Sequence, residues 1–88
     1  MKTEFKSSFV KDLRGIRSKQ IRERVKALIE LVESVQDPSA ITDLKKLHGA
    51  GAYFRVRLGE YRVGLTVEAD VVTFVRCLNR KEIYRFFP

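Results

Sequence analysis

Eighty-eight residues leave room for one domain with one modest core, and exclude a multi-domain enzyme, a Rossmann pair or a TIM barrel. Hydrophobic residues at 44% and charged residues at 33% describe a folded, highly soluble domain, and no apolar run reaches the length of a bilayer span. The formal net charge is +7, and residues 45–88 hold most of the excess, with nine basic against four acidic side chains. That balance suits a polyanionic partner: nucleic acid, an acidic protein segment or a membrane surface.

Thr3-Glu4-Phe5 is a short extended candidate. Ser7 and Ser8 offer N-caps for a first helix with Phe9, Leu13 and Ile16 on one face, and Gly15 would end it as a left-handed cap. Ser18 offers the next N-cap. Ile21, Val25, Leu28, Ile29 and Val32 then form the cleanest amphipathic stripe in the chain, opposite Arg22, Glu23, Lys26, Glu30 and Glu33. That polar face mixes both charge signs, so the stripe reads as a core face rather than a membrane-binding one. Pro38 predicts an end by Gln36-Asp37. Residues 39–52 read as a connection anchored by Leu44 and Leu47, with a turn at Gly49-Ala50-Gly51. From Tyr53 the period becomes two, with turns at Gly59-Glu60 and Glu68-Ala69-Asp70. Val71 to Leu78 reads as a central strand, and Glu82 to Phe87 as an aromatic tail. The predicted fold class is α+β: an N-terminal strand and an αα-hairpin packed on one face of a small antiparallel sheet, a single domain over residues 1–88.

The pleat places Arg55, Arg57 and Arg62 on one sheet face, with Arg76 and Arg80 at its rim. Such a cluster is either a set of solvated arginines or a phosphate site, for which the planar guanidinium fork is suited. Tyr84, four residues past Arg80, could stack on a base, move a proton or fasten the tail; for Phe86 and Phe87 the anchoring role fits best. The single histidine, His48, excludes a conventional zinc site and reads as structural or solvated. Cys77 excludes an internal disulfide, fits a reducing cytoplasm, and reads as a small buried hydrophobe. Met1-Lys2-Thr3-Glu4-Phe5-Lys6 has no apolar region of the secretory kind, so a cytoplasmic location is expected. Glu60, Glu68 and Asp70 lie in turns and form no paired acid–base set, which argues against two-carboxylate or metal-dependent hydrolysis.

Three segments in order resemble the RelE/ParE superfamily of toxins of type II toxin–antitoxin systems. They are Leu44-Lys45-Lys46-Leu47-His48-Gly49, then Tyr53-Phe54-Arg55-Val56-Arg57-Leu58-Gly59-Glu60-Tyr61-Arg62-Val63, then Asn79-Arg80-Lys81-Glu82-Ile83-Tyr84-Arg85. The resemblance covers nearly the whole chain. It implies an endoribonuclease that cuts mRNA in the ribosomal A site without metal or other cofactor, neutralised by a small acidic antitoxin, with no membrane partner. Carried over, Arg55 and Arg57 would bind phosphate and help activate the 2′-hydroxyl. Arg62 would stabilise the transition state, Arg80 the leaving group, and Tyr84 would stack on the substrate base. Lys45, Lys46, Arg76 and Lys81 would add to RNA binding. Asn79 stands where many relatives have a histidine. The ParE branch, which poisons DNA gyrase, is the rival implication; a non-catalytic RNA-binding or antitoxin-binding relative is another.

Overall fold

The computed structural model describes residues 1–47 and 51–88. The elements run β1 (Lys2–Phe5), α1 (Ser7–Arg14), α2 (Lys19–Ser34), a 3-10 turn at Pro38–Ala40, β2 (Leu44–Lys46), β3 (Tyr53–Leu58), β4 (Tyr61–Glu68), β5 (Val71–Asn79) and α3 (Ile83–Phe86). The strands form one five-stranded sheet in the order β1-β5-β4-β3-β2. The predicted β3-β4-β5 meander is antiparallel, but β1 pairs with β5 in parallel, so the sheet is mixed. β2 adds an edge strand within the predicted connection. His48 and most of the Gly49-Ala50-Gly51 turn lie outside the described residues.

Val56, Val63, Leu65, Val72, Phe74 and Cys77 line one face of the sheet and are almost wholly buried, together with Phe9 of α1 and Val25, Leu28 and Val32 of α2. The hydrophobic stripe of α2 therefore does what its period implies. Ser18 caps α2, its Oγ accepting from Ile21 N at 3.2 Å. The helix ends at Ser34, before Asp37-Pro38, as expected.

The start and end of α1 depart from the reading. Lys6 is its N-cap and makes no side-chain capping bond, and Gly15 ends it with φ −84°, a right-handed conformation. The reason is β5. β1 covers β5 only as far as Phe74, and α1 takes over the exposed edge beyond it. Lys6 N donates to Phe74 O at 2.9 Å, and Ser8 Oγ donates to Val75 O at 2.6 Å. One turn later Asp12 Oδ2 accepts from Cys77 N at 2.9 Å. Side chains at i and i+4 of one helix thus satisfy a strand edge that would otherwise stay unpaired.

Asp12 also holds Arg76 with two charge-assisted bonds, to Nε at 2.8 Å and Nη2 at 3.1 Å. Asp12→Ala would strand a guanidinium and a strand N–H together. We expect a loss of about 2–3 kcal/mol, less than for a fully buried pair because Arg76 keeps some solvent contact. A urea titration should show a lower midpoint at unchanged slope; an unchanged midpoint would contradict the edge-sealing role.

On the other face of the sheet the tail forms a second, smaller core. Ile83 and Phe87 are buried with Leu47 against Tyr53, Val75 and Leu78. The Phe87 ring meets Tyr53 edge-on at 5.5 Å and lies on Gly64, where an added Cβ would sit 2.6–2.8 Å from three ring atoms. The predicted anchoring role of Phe87 holds, while Phe86 is half exposed. α3 is one turn of helix in what the sequence suggested was a plain tail.

Candidate nucleic-acid interface

The face carrying α3 also carries the arginines. Register places Arg57 directly opposite Arg62, Arg55 opposite both Gly64 and Lys45, and Gly64 opposite Arg76. Like charges in opposed positions repel, and the sheet manages this in different ways at each position. Arg57 reaches Asp43 at 3.8 Å, and Arg80 reaches Glu60 at 3.0 Å; all four side chains are largely exposed, so these pairs are weak and open to exchange with a competing anion. Arg55 Nη1 lies 3.5 Å from Asp43 O, and its buried Nε has no partner among the described residues.

Arg62 stands at the centre. Its Nη1 donates to Gly59 O at 2.7 Å and Tyr61 O at 2.9 Å, which fixes the guanidinium over the hairpin tip. Gly59 opens the two-residue β3–β4 connection with φ +59°, a left-handed conformation suited to glycine. Among the described residues Arg62 has no carboxylate partner. Burial pulls its pKa below the ordinary arginine value, and the charges of Arg55, Arg57 and Arg80 pull the same way, while Tyr84 opposes them. It remains a cation at neutral pH, because arginine starts so far above it. Its charge therefore lies in the field of Arg55, Arg57, Arg80 and Tyr84. Tyr84 is 59% exposed on α3 and lines a groove of ≈340 Å³ with Lys45, Lys46, Leu47, Phe87 and Pro88.

One nominated residue stands apart. Arg76 belongs to the Asp12 latch, whose hydrogen bond raises its pKa, so it is not a free rim cation. Lys45 opposes Arg55 and Lys46 opposes Phe54 in the β2–β3 register, and both line the Tyr84 groove. Lys81 is exposed in the turn after β5, where its N donates to Asn79 Oδ1 at 3.0 Å. Asp43 as the partner of Arg57, and Glu60 as that of Arg80, carry no signal of the pairing in the sequence.

Cys77 is buried beside Asp12, and burial first, then that charge, pushes its thiol up to about 12. It should resist alkylation at pH 8 until the protein unfolds. Because the folded thiol is the weaker acid, its contribution to stability is full below about pH 8.5 and fades at higher pH. Rapid labelling of native protein at pH 8 would contradict this placement. Among the described residues no cluster of three or more His, Cys, Asp or Glu side chains could hold a metal ion. Among the described residues no helix is long and apolar enough to cross a membrane.

The frame is thus a mixed sheet with two helices on one face and arginines on the other. The family described as the ParE toxin of the type II toxin–antitoxin system parDE matches residues 3–84. Toxin RelE3 of Methanocaldococcus jannaschii is 40% identical over 89 residues, covering all of both chains. The RelB–RelE antitoxin–toxin complex from Methanococcus jannaschii superposes with a TM-score of 0.83 at 39% identity, covering 97% of this chain and 99% of that one. The archaeal RelE–RelB complex from Pyrococcus horikoshii gives 0.73 at 26%, covering 90% and 93%. The chain belongs to the RelE/ParE family of toxins of type II toxin–antitoxin systems.

Proposed function

We infer that this toxin is an endoribonuclease acting on translated mRNA in the ribosomal A site, in the cytoplasm, without metal or other cofactor. The observation that carries the reading is Arg62, a partly buried guanidinium held by the hairpin-tip carbonyls with no carboxylate partner among the described residues, directly opposite Arg57 and in the field of Arg55, Arg80 and Tyr84. Such a site can bind consecutive phosphates and stabilise charge that develops on one of them. The RNA's 2′-hydroxyl gives its proton to solvent water as its oxygen attacks the adjacent phosphorus, the P–O5′ bond breaks, and the leaving 5′-oxygen takes a proton from water, giving a 2′,3′-cyclic phosphate and a 5′-hydroxyl. Arg55 and Arg57 hold the backbone and favour the 2′-oxyanion. Arg62 meets the phosphorane-like charge, Arg80 the leaving oxygen, and Tyr84 supports a base by stacking. Lys45 and Lys81 extend the positive field. The catalysis is positional and electrostatic, which arginines can perform without yielding a proton.

The relatives solved with RelB support an antitoxin as the physiological partner of this chain. With +7 on the toxin, that partner is an acidic segment that folds on binding. The test is to add purified toxin to a translation extract and map new mRNA 5′ ends beside a naked-mRNA control. Codon-phased ends on translated message alone are expected. Uncut message together with inhibited gyrase supercoiling would move the function to the ParE kind named in the family description.

A further inference from the structure

The carbonyls of the β3–β4 hairpin tip are all taken by arginines. Gly59 O and Tyr61 O accept from Arg62 Nη1 at 2.7 and 2.9 Å, and Glu60 O accepts from Arg80 N at 2.8 Å. The tip is itself well anchored. Leu58 and Tyr61 face each other across it and pack on the main core. Gly59 lies against α2, where an added Cβ would stand 3.1 Å from Arg24 Nη1 and 3.9 Å from Ile21 Cδ1. Arg62 belongs to β4 and Arg80 follows the end of β5, yet both hang from this one short piece of backbone.

Glu60 adds a side-chain contact to that frame, its Oε2 lying 3.0 Å from Arg80 Nε. Both side chains are more than half exposed, so the pair contributes little to stability and its position calls for another reason. Relief of repulsion falls to Asp43, beside Arg55 and Arg57, whose charges press on Arg62 harder than that of Arg80 does. The Glu60 contact is to Nε, the nitrogen nearest the backbone. That leaves the two outer nitrogens of the fork for an oxygen of a substrate. The pair need not be strong to act. It sets where the guanidinium waits, and catalysis by a placed charge depends on direction.

We propose that Glu60 is a positioning residue: it holds the Arg80 guanidinium by its inner nitrogen at a set place relative to Arg62, so that the two arginines flank one phosphate. Arg62 then meets the charge that develops at phosphorus, and Arg80 the leaving 5′-oxygen, a division of roles that rests on the ribonuclease reading. Glu60 touches no substrate and acts through Arg80. Its removal therefore costs rate rather than affinity, and taking one acid from a basic face leaves RNA binding equal or tighter. Alanine suits the position. The non-glycine residues with left-handed backbone among those described are Asp43 and Ala69, so residue 60 is free of that strain, and the bond from Arg80 N to the residue 60 carbonyl is independent of the side chain.

The experiment measures single-turnover cleavage of ribosome-bound message at saturating toxin for wild type, Glu60→Ala and Glu60→Gln, and for Glu60→Ala combined with Arg80→Ala. Binding is measured separately on ribosomes carrying a message that is 2′-deoxy at the scissile position. Glu60→Ala should lower the rate roughly 10- to 100-fold, the scale of a misplaced catalytic group, with binding equal to or tighter than wild type. Glu60→Gln, which keeps an acceptor oxygen, should fall between. In the Arg80→Ala background the same change should cost less than about twofold, because the group it acts through is gone. A message with sulfur in place of the scissile 5′-oxygen releases a thiolate that needs no cation, and on it the gap between wild type and Glu60→Ala should shrink. Wild-type rates in Glu60→Ala would overturn the proposal. So would a full loss in the Arg80→Ala background, a full loss on the sulfur message, or weaker binding at an unchanged saturating rate. A wild type that cuts no message fails the ribonuclease reading and this proposal with it, whereas a wild type that cuts beside an equally active Glu60→Ala overturns the proposal alone. Circular dichroism checks the fold; if Glu60→Ala is unfolded, Glu60→Gln carries the same comparisons.

Discussion

Replacing Arg62 by alanine should lower the single-turnover rate of message cleavage by about 100- to 1,000-fold, the usual range for removing one fixed donor to a developing oxyanion. The fold should survive. Arg62 is half-buried, and its structural bonds are two contacts to carbonyls of the hairpin tip, a net loss of about 1 kcal/mol. Arg62→Lys should restore only part of the rate, because a compact ammonium cannot hold the tip carbonyls with one arm of a fork and offer the other to phosphate. The parallel change Lys81→Ala, in the exposed turn, should cost little. Near-wild-type cleavage by Arg62→Ala with an intact circular dichroism spectrum would remove Arg62 from the centre of the site.

Gly64→Ala should be strongly destabilising. Three atoms of the Phe87 ring would lie 2.6–2.8 Å from the new carbon, and Gly64 itself is buried in a central strand. Either the ring swings out and empties the small core it shares with Ile83 and Leu47, or the strand bends away. We expect about 2–4 kcal/mol, between an overpacked core and the loss of a buried phenylalanine. Activity should fall as well, since Tyr84 is carried on the turn of helix that Phe87 fastens down. The double variant Gly64→Ala, Phe87→Ala separates these effects: with the clash gone, its cost should fall well short of the sum of the single changes. Additive urea midpoints would show that the two positions do not meet.

The parts of the fold carried by long periodic stretches were legible in the sequence. The α2 stripe and the alternation from Tyr53 onward each repeat often enough to fix a face, and the same alternation put Arg55, Arg57 and Arg62 together. The misses depend on partners distant in the chain. β2 is three residues held as a strand by pairing with β3, and α3 is four residues held by burial of Ile83 and the neighbouring Phe87. Neither has enough length for a period. Arg76 reads as a rim cation until Asp12, 64 residues earlier, is placed beside it. Ser8 reads as a cap until the edge of β5 claims its hydroxyl. Gly64 did carry a signal, because a glycine inside a strand often marks the close approach of another group. Charge misled most: counted by halves, the acidic far end of α2 cancels its basic beginning, and only the folded direction of the helix separates them.

The most direct measurement is the chemistry of the cut ends. Ribosomes programmed with a defined message are treated with toxin under single-turnover conditions, and the products are resolved by mass spectrometry. Attack by the 2′-oxygen under the Arg62 cluster gives an upstream fragment ending in a 2′,3′-cyclic phosphate, a downstream fragment beginning with a 5′-hydroxyl, and no cleavage where the scissile nucleotide is 2′-deoxy. A 5′-phosphate product, or efficient cutting at the 2′-deoxy position, would show that water rather than the RNA is the nucleophile, and would contradict the proposed mechanism.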